Sequence, residues 1–237
     1  MENIRNFILI YQIWYNGNSN IKWKGLIQIM KYYIDFDNTL FETPKLTKAM
    51  LKLLTNAILE KHENKNFEET FVECKSLFNR EHFYNIFELI EHFSHIYELD
   101  EKNVVKNMKV LISDTKEFLY PDTIPFLERL KAEGHELYIL SYCKESLTYL
   151  TAKISGSGIA DYFNAIYATS TPKYELGLNY EEGIFIDDNP SDLKGLYGKN
   201  PRKIIRIARN GNKYSLIDLD IPEIKSYNSF ENIEKLD

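Results

Sequence analysis

The sequence predicts an α/β fold in which helices cover a parallel β-sheet and a separate α-helical domain is inserted after the first strand. Three observations predict it. Five short apolar runs are continuous rather than alternating, as strands buried on both faces are. Helical patterns separate several of these runs, which suits parallel strands joined by crossovers. From about residue 45 to 118 the apolar residues recur at helical spacing and strand-like runs are missing. A chain of 237 residues suits one medium α/β domain with an insertion, or two small domains. Hydrophobic residues at 44% and charged residues at 27% give the balance of a folded globule rather than a disordered chain.

Residues 1–29 contribute no motif and are expected to be an N-terminal extension of uncertain role. The first strand runs over Lys31–Phe36. The α/β core is expected to comprise 30–44 and 119–237, with 45–118 as the helical insert. Within the insert, Leu46, Met50, Leu53, Ala57 and Ile58 make one stripe, and Phe83, Ile86, Phe87, Ile90 and Phe93 make another. Asp122 can N-cap a helix carrying Ile124, Leu127 and Leu130 that stops at Gly134. The second strand covers Glu136–Ser141, and a helix carrying Leu147, Leu150 and Ile154 stops at Gly156. Ala165–Ala168, Gly183–Asp187 and Lys203–Ile207 complete the strands. The last thirty residues are polar, contain the turn-prone Asn210-Gly211-Asn212, and read as peripheral.

A net charge of −6 and a pI near 5.5 disfavour a nucleic-acid partner, whose phosphates need clustered positive charge. No apolar run reaches the roughly 20 residues that cross a bilayer, so no membrane partner is expected. The longest candidate, Phe7–Tyr15, is broken by Gln12 and lacks a cleavage site behind it. Cys74 and Cys143 form neither a CxxC motif nor a disulfide framework, as in a cytoplasmic protein with free thiols. Oligomeric state leaves no mark in the sequence.

The chemistry concentrates at strand ends. In Tyr33-Ile-Asp-Phe-Asp-Asn-Thr-Leu40, Asp35 and Asp37 stand two residues apart where an apolar strand finishes. Open parallel sheets bind ligands beyond the carboxyl ends of their strands. Two carboxylates there repel unless a cation or a proton separates them. Gly183-Ile-Phe-Ile-Asp-Asp-Asn-Pro-Ser-Asp192 repeats the design with Asp187, Asp188 and, one turn later, Asp192. One acidic strand end is an ordinary loop; two in one sheet favour a site for Mg²⁺, which takes hard oxygen ligands. Ser141 ends the second strand with a hydroxyl able to donate to a phosphoryl oxygen, although serine there is commonly a helix cap. Lys173, in Thr171-Pro-Lys-Tyr174, is a candidate cation.

In this order, DFDNT, Ser141, a lysine and IDDNPSD resemble the haloacid dehalogenase-like (HAD) superfamily. The similarity covers residues 31 to about 207, with the helical insert at the position of that superfamily's type 1 cap and a Rossmann-like core. The resemblance implies that Asp35 is the nucleophile that becomes an aspartyl-phosphate. It makes Asp37 the general acid and base, with its backbone carbonyl also reaching the metal. Asp187 and Asp188 would hold Mg²⁺, with Asp192 behind them. Ser141 would bind the phosphoryl group and Lys173 would neutralise charge, with Lys153 as the alternative lysine. Members that dehalogenate lack the second aspartate, so Asp37 favours phosphatase chemistry.

The expected activity is therefore Mg²⁺-dependent hydrolysis of a small phosphorylated metabolite. A phosphomutase, a 5′-nucleotidase and a catalytically silent binding protein on the same fold stay open. A phospho-accepting receiver module would place its acid pair early and lack the insert. Ser155-Gly-Ser-Gly158 follows a helix and reads as its C-cap rather than a phosphate loop. His82, His92 and His95 have no metal-ligand spacing.

Overall fold

A computed structural model describes residues 29–81, 86–143 and 147–233. His82, Phe83, Phe7–Tyr15 and nearly all of the N-terminal extension lie outside the described residues. The chain divides into two compact units. One takes in the stretch up to Phe41, Leu119–Cys143 and the chain from Ile159 onward; the other holds Glu42–Phe118 and Lys144–Gly158.

The first unit is built on six parallel strands: β1 (Lys31–Ile34), β2 (Glu136–Tyr142), β3 (Ala165–Thr169), β4 (Gly183–Asp187), β5 (Lys203–Ile207) and β6 (Lys225–Tyr227). Their order is β3-β2-β1-β4-β5-β6. Central β1 pairs Ile34 with Ile139 on one side and Ile186 on the other, so β1 and β4 finish side by side where the acids begin, while β2 runs on to Tyr142. Tyr33 stacks between Tyr138, at 5.1 Å, and Phe185, at 4.9 Å. Gly183 makes room for this aromatic layer, because a Cβ there would lie 2.6 Å from the Phe185 ring and 3.0 Å from that of Tyr33.

Helix α5 (Thr123–Ala132) follows its expected span and is closed by Gly134 in the left-handed region, φ 83°. Asp122 stands at its N-terminus but makes no capping hydrogen bond, because its carboxylate is turned to other partners described below. Strand β1 stops two residues short of the expected Phe36, where the chain leaves the sheet to form the acidic loop. The C-terminal residues are not peripheral. They supply β6 and bury Leu219, Ile224, Phe230 and Ile233, with the Phe230 ring stacked 4.1 Å from Phe126. Isolated apolar residues among polar ones carry no periodicity, which hid this strand and its anchor.

The second unit contains α1 (Thr43–Lys61), α2 (Phe67–Glu81), α3 (Ile86–Tyr97), α4 (Glu101–Ser113) and α6 (Leu147–Gly156). In α1 the buried stripe is Leu46, Met50, Leu51, Leu54 and Ile58, while Leu53 and Ala57 flank it half-buried. Asp100 caps α4 by accepting from the N–H groups of Lys102 and Asn103. The sequence places α6 with the α/β core, but residues 147–158 group with the helices. Thr115 donates its N–H to Gly156 O (2.9 Å) and its hydroxyl to Lys153 O (2.8 Å). A Cβ on Gly156 would come within 2.2 Å of Ile112 O, so only glycine admits this approach. Ser155–Gly158 closes α6, with Ser157 N–H donating to Lys153 O.

Candidate active site

Beyond Ile34 the chain makes one more sheet bond, from Asp35 N–H to Ile186 O at 2.9 Å, and then turns back on itself. Leu40 and Phe41 both donate their N–H groups to Phe36 O at 3.0 Å, and Asn38 N–H donates to Phe41 O at 2.7 Å. Asn38 occupies the left-handed region, φ 64°, which asparagine tolerates better than most residues. Phe36 and Phe41 stack at 4.8 Å and hold the loop from below. The turn leaves Asp35 buried and Asp37 half-buried.

The second acidic cluster is ordered by helix capping. Asp187 ends β4, and Asn189 caps α7 (Pro190–Tyr197) by accepting from Ser191 N–H. Pro190 suits the first helical position, where no N–H is needed. Asp187 Oδ1 accepts from Asn189 N–H at 2.9 Å, and the Asn189 amide donates to Asp192 Oδ2 at 2.9 Å.

Lys173 joins the two clusters. It is 2% exposed, and its Nζ donates to Asp35 Oδ1 at 2.7 Å and to Asp187 Oδ2 at 2.6 Å. Asp192 Oδ2 lies 3.9 Å away. Tyr180 O–H donates to Lys173 O at 3.1 Å and secures the short turn that carries the lysine. Burial alone would push the lysine down, but Asp187, Asp35 and Asp192 outweigh it and keep the ammonium charged. One lysine does not balance the acids. Burial lifts Asp35 well above the usual carboxylate range despite Lys173, with Asp187 and Asp188 adding repulsion. Asp188 is pushed up to about 7, mainly by burial and then by Asp187.

Of the residues singled out from sequence, Asp35, Asp187 and Asp188 converge, with carboxylate oxygens within 4.8 Å of one another. Asp192 stands behind them on the lysine. Ser141 is buried near the end of β2; since Ile139 pairs with Ile34, it lies just past that rung on the strand beside Asp35. Lys173 reaches Asp35. Lys153 belongs to α6, with its ammonium 5.0 Å from the Tyr149 ring. His92 and His95 join no potential metal-binding group among the described residues. Two site neighbours went unnoticed in the sequence. Asn212 is buried and its amide donates to Asp188 Oδ2. Arg209 donates to the main chain of the acidic loop. Both follow β5, and their position beyond a strand's carboxyl end was the available clue.

The donor set fits a hard divalent cation. It is all oxygen, it is buried, and its carboxylates carry an excess of negative charge that one ammonium leaves uncompensated. Asn38 Oδ1 and Thr39 Oγ1, in the loop that carries Asp37, are buried without a hydrogen-bond partner, as groups awaiting a polar ligand are.

Comparison with known proteins agrees with this geometry. The family profile described as haloacid dehalogenase-like hydrolase matches residues 33–196. A search of curated protein sequences gives no match. Among solved structures, a HAD phosphatase from Thermococcus onnurineus is 19% identical with a TM-score of 0.54, covering 85% of this chain and 94% of its own. A HAD-hydrolase from Bacillus subtilis bound to magnesium is 13% identical, TM-score 0.54, with 86% and 96% covered. An L-2-haloacid dehalogenase is 16% identical, TM-score 0.52, again with 86% and 96% covered. At these identities the likeness is one of fold. The profile match spans more than half of the sequence and includes both acidic clusters, and the chain therefore belongs to the haloacid dehalogenase-like hydrolases.

Proposed function

We propose that this protein is a Mg²⁺-dependent phosphatase that hydrolyses a small phosphorylated metabolite through an aspartyl-phosphate on Asp35. The observation that carries the reading is the buried trio of Asp35, Asp187 and Asp188 joined to Asp37 two residues along the same loop. A site that only displaced halide from a carbon would have no use for so much uncompensated negative charge. The Thermococcus neighbour is a phosphatase and the Bacillus neighbour binds magnesium, which supports the same choice.

In this reading Asp35, Asp187 and Asp188 would hold the cation, with the Asp37 carbonyl as a further oxygen. The cation neutralises phosphate charge that would otherwise repel the attacking carboxylate. Lys173 orients Asp35 and, together with the cation, would favour its ionised form. The Asp35 carboxylate attacks phosphorus, the bond to the leaving oxygen breaks, and Asp37 gives that oxygen its proton. Water then attacks phosphorus as Asp37 takes up a proton, the bond to Asp35 breaks, and inorganic phosphate leaves. Ser141 donates to a phosphoryl oxygen. The protein works in the cytoplasm on a small molecule, without a nucleic-acid or membrane partner; no helix among the described residues is long and apolar enough to cross a bilayer.

Hydrolysis of 4-nitrophenyl phosphate and of a panel of phosphorylated metabolites tests the proposal. Activity should disappear in EDTA and return with Mg²⁺. Undiminished hydrolysis in chelator, or release of halide from 2-chloropropionate in place of phosphatase activity, would refute it.

A further inference from the structure

We propose that Arg209 is a positioning residue that sets the placement of Asp37 by clamping the main chain of the acidic loop. This rests on the phosphatase reading given above.

Arg209 lies in the segment after β5 and is 4% exposed. A guanidinium so deeply buried must find acceptors for its N–H groups. Two of them converge on a single carbonyl, with Nε 3.2 Å and Nη2 2.9 Å from Thr39 O. Nη1 donates to Asp122 Oδ2 at 2.7 Å and to Asn228 O at 3.4 Å. The guanidinium also lies over two rings, Tyr120 at 4.1 Å and Phe230 at 4.7 Å. Asp122 is fixed in turn, since Oδ2 also accepts from Ser229 O–H and Phe230 N–H, each at 2.7 Å. A rigid fork thus grips one peptide from two nitrogens, which a lysine's single ammonium cannot do.

The gripped peptide lies two residues beyond Asp37. The loop's own bonds, from Leu40 and Phe41 to Phe36 O and from Asn38 to Phe41 O, close it on itself without tying it outward. Its outward ties include Arg209 on Thr39 O and, on Leu40 O, the Thr123 hydroxyl at 2.8 Å and Tyr120 N–H at 3.1 Å. Asp35 is anchored separately by its sheet bond and by Lys173. Loosening the clamp should therefore displace Asp37 more than Asp35, and so impair proton transfer more than nucleophilic attack.

Leaving-group dependence separates this role from a merely structural one. Arg209→Lys should lower kcat/KM for an alkyl phosphate such as glycerol 3-phosphate about 100-fold, the scale for a misplaced catalytic group. On 4-nitrophenyl phosphate, whose phenolate leaves without help, kcat/KM should fall less than about 5-fold, while kcat falls on both esters because water attack on the shared phospho-intermediate also needs Asp37. Amide exchange at Leu40 and Phe41 should quicken while that of Ile139 and Ile186 does not. Asp122→Asn, which keeps the acceptor but weakens the grip, should show the same pattern to a smaller degree and serves if Arg209→Lys does not fold. Equal losses in kcat/KM on the two esters, or unchanged exchange in the loop, would overturn the proposal. A wild-type protein that hydrolyses neither ester would overturn the phosphatase reading instead, and loop exchange in the variants would still decide whether Arg209 is the clamp.

Discussion

Burying acids in excess of their counter-charge should make the metal-free protein more stable as pH falls from 8 to 5.5. Asp188 is pushed up to about 7 in the folded state by burial and by Asp187, against an ordinary value of 3.8. Its folded value is raised, so the associated stability is fully present below the unfolded value and is lost as pH rises through about 7. At about 1.4 kcal/mol per pH unit, the interval from 7 to 5.5 yields about 2 kcal/mol from this group alone. Asp35 is raised as well and acts in the same direction. Asp122 behaves oppositely: burial raises it, but hydrogen bonds from Arg209 and Ser229 leave it below its usual value. Its contribution is present above the unfolded value and is lost only as pH falls past that, outside the chosen window. For a chain of this size 2 kcal/mol corresponds to about 4–8 °C in Tm. Thermal melts in EDTA at pH 8, 7 and 5.5 measure the slope. Mg²⁺ should raise Tm more at pH 8, where the cluster is ionised, than at pH 5.5. Asp188→Asn keeps a side-chain acceptor for Asn212 and removes the charge, so in EDTA at pH 8 it should stabilise the protein, by up to about 4 kcal/mol on the full linkage span. It should also flatten the pH dependence. A Tm in EDTA that stays level or drops between pH 8 and 5.5, or an Asp188→Asn protein that melts lower at pH 8, would refute the reasoning.

The two aspartates of the acidic loop should fail differently. Asp35→Asn should abolish turnover, because an amide cannot form the phospho-intermediate, whereas Asp37→Asn should accumulate phosphate on Asp35 from 4-nitrophenyl phosphate; acid quenching followed by hydroxylamine treatment distinguishes them. Lys173→Met should cost about 3–5 kcal/mol at pH 8 in EDTA, since it leaves two buried carboxylates without their cation, and urea titration would register it. Asn212→Ala should weaken Mg²⁺ binding about 10- to 100-fold in calorimetric titration, as loss of a partner that orients a metal ligand does, with the folded state retained by circular dichroism.

Much of this molecule is written locally. Continuous apolar runs at 31–36, 136–141, 165–168, 183–187 and 203–207 mark strands buried on both faces, because covering a sheet on both sides removes the polar alternate positions. Acids at the carboxyl ends of two of those runs fall at strand ends by chain direction alone, so Asp35, Asp37, Asp187 and Asp188 are legible without knowing which strands are neighbours. Tertiary structure decided what those acids meet. Lys173 and Lys153 are equivalent as letters in a sequence. The chain after β3 sets Lys173 between Asp35 and Asp187, whereas Lys153 lies in a helix beside Tyr149. Asp122 has the sequence position of a helix cap, yet its carboxylate serves Arg209, Ser229 and Phe230, because a buried guanidinium demands a counter-ion more strongly than a helix terminus demands a cap. Strand β6 and the buried Asn212 and Arg209 escaped notice for a related reason. Periodicity reports burial only where successive residues share one environment, and a segment held by single long-range contacts to Asp188, Thr39 and Phe126 has no period to report.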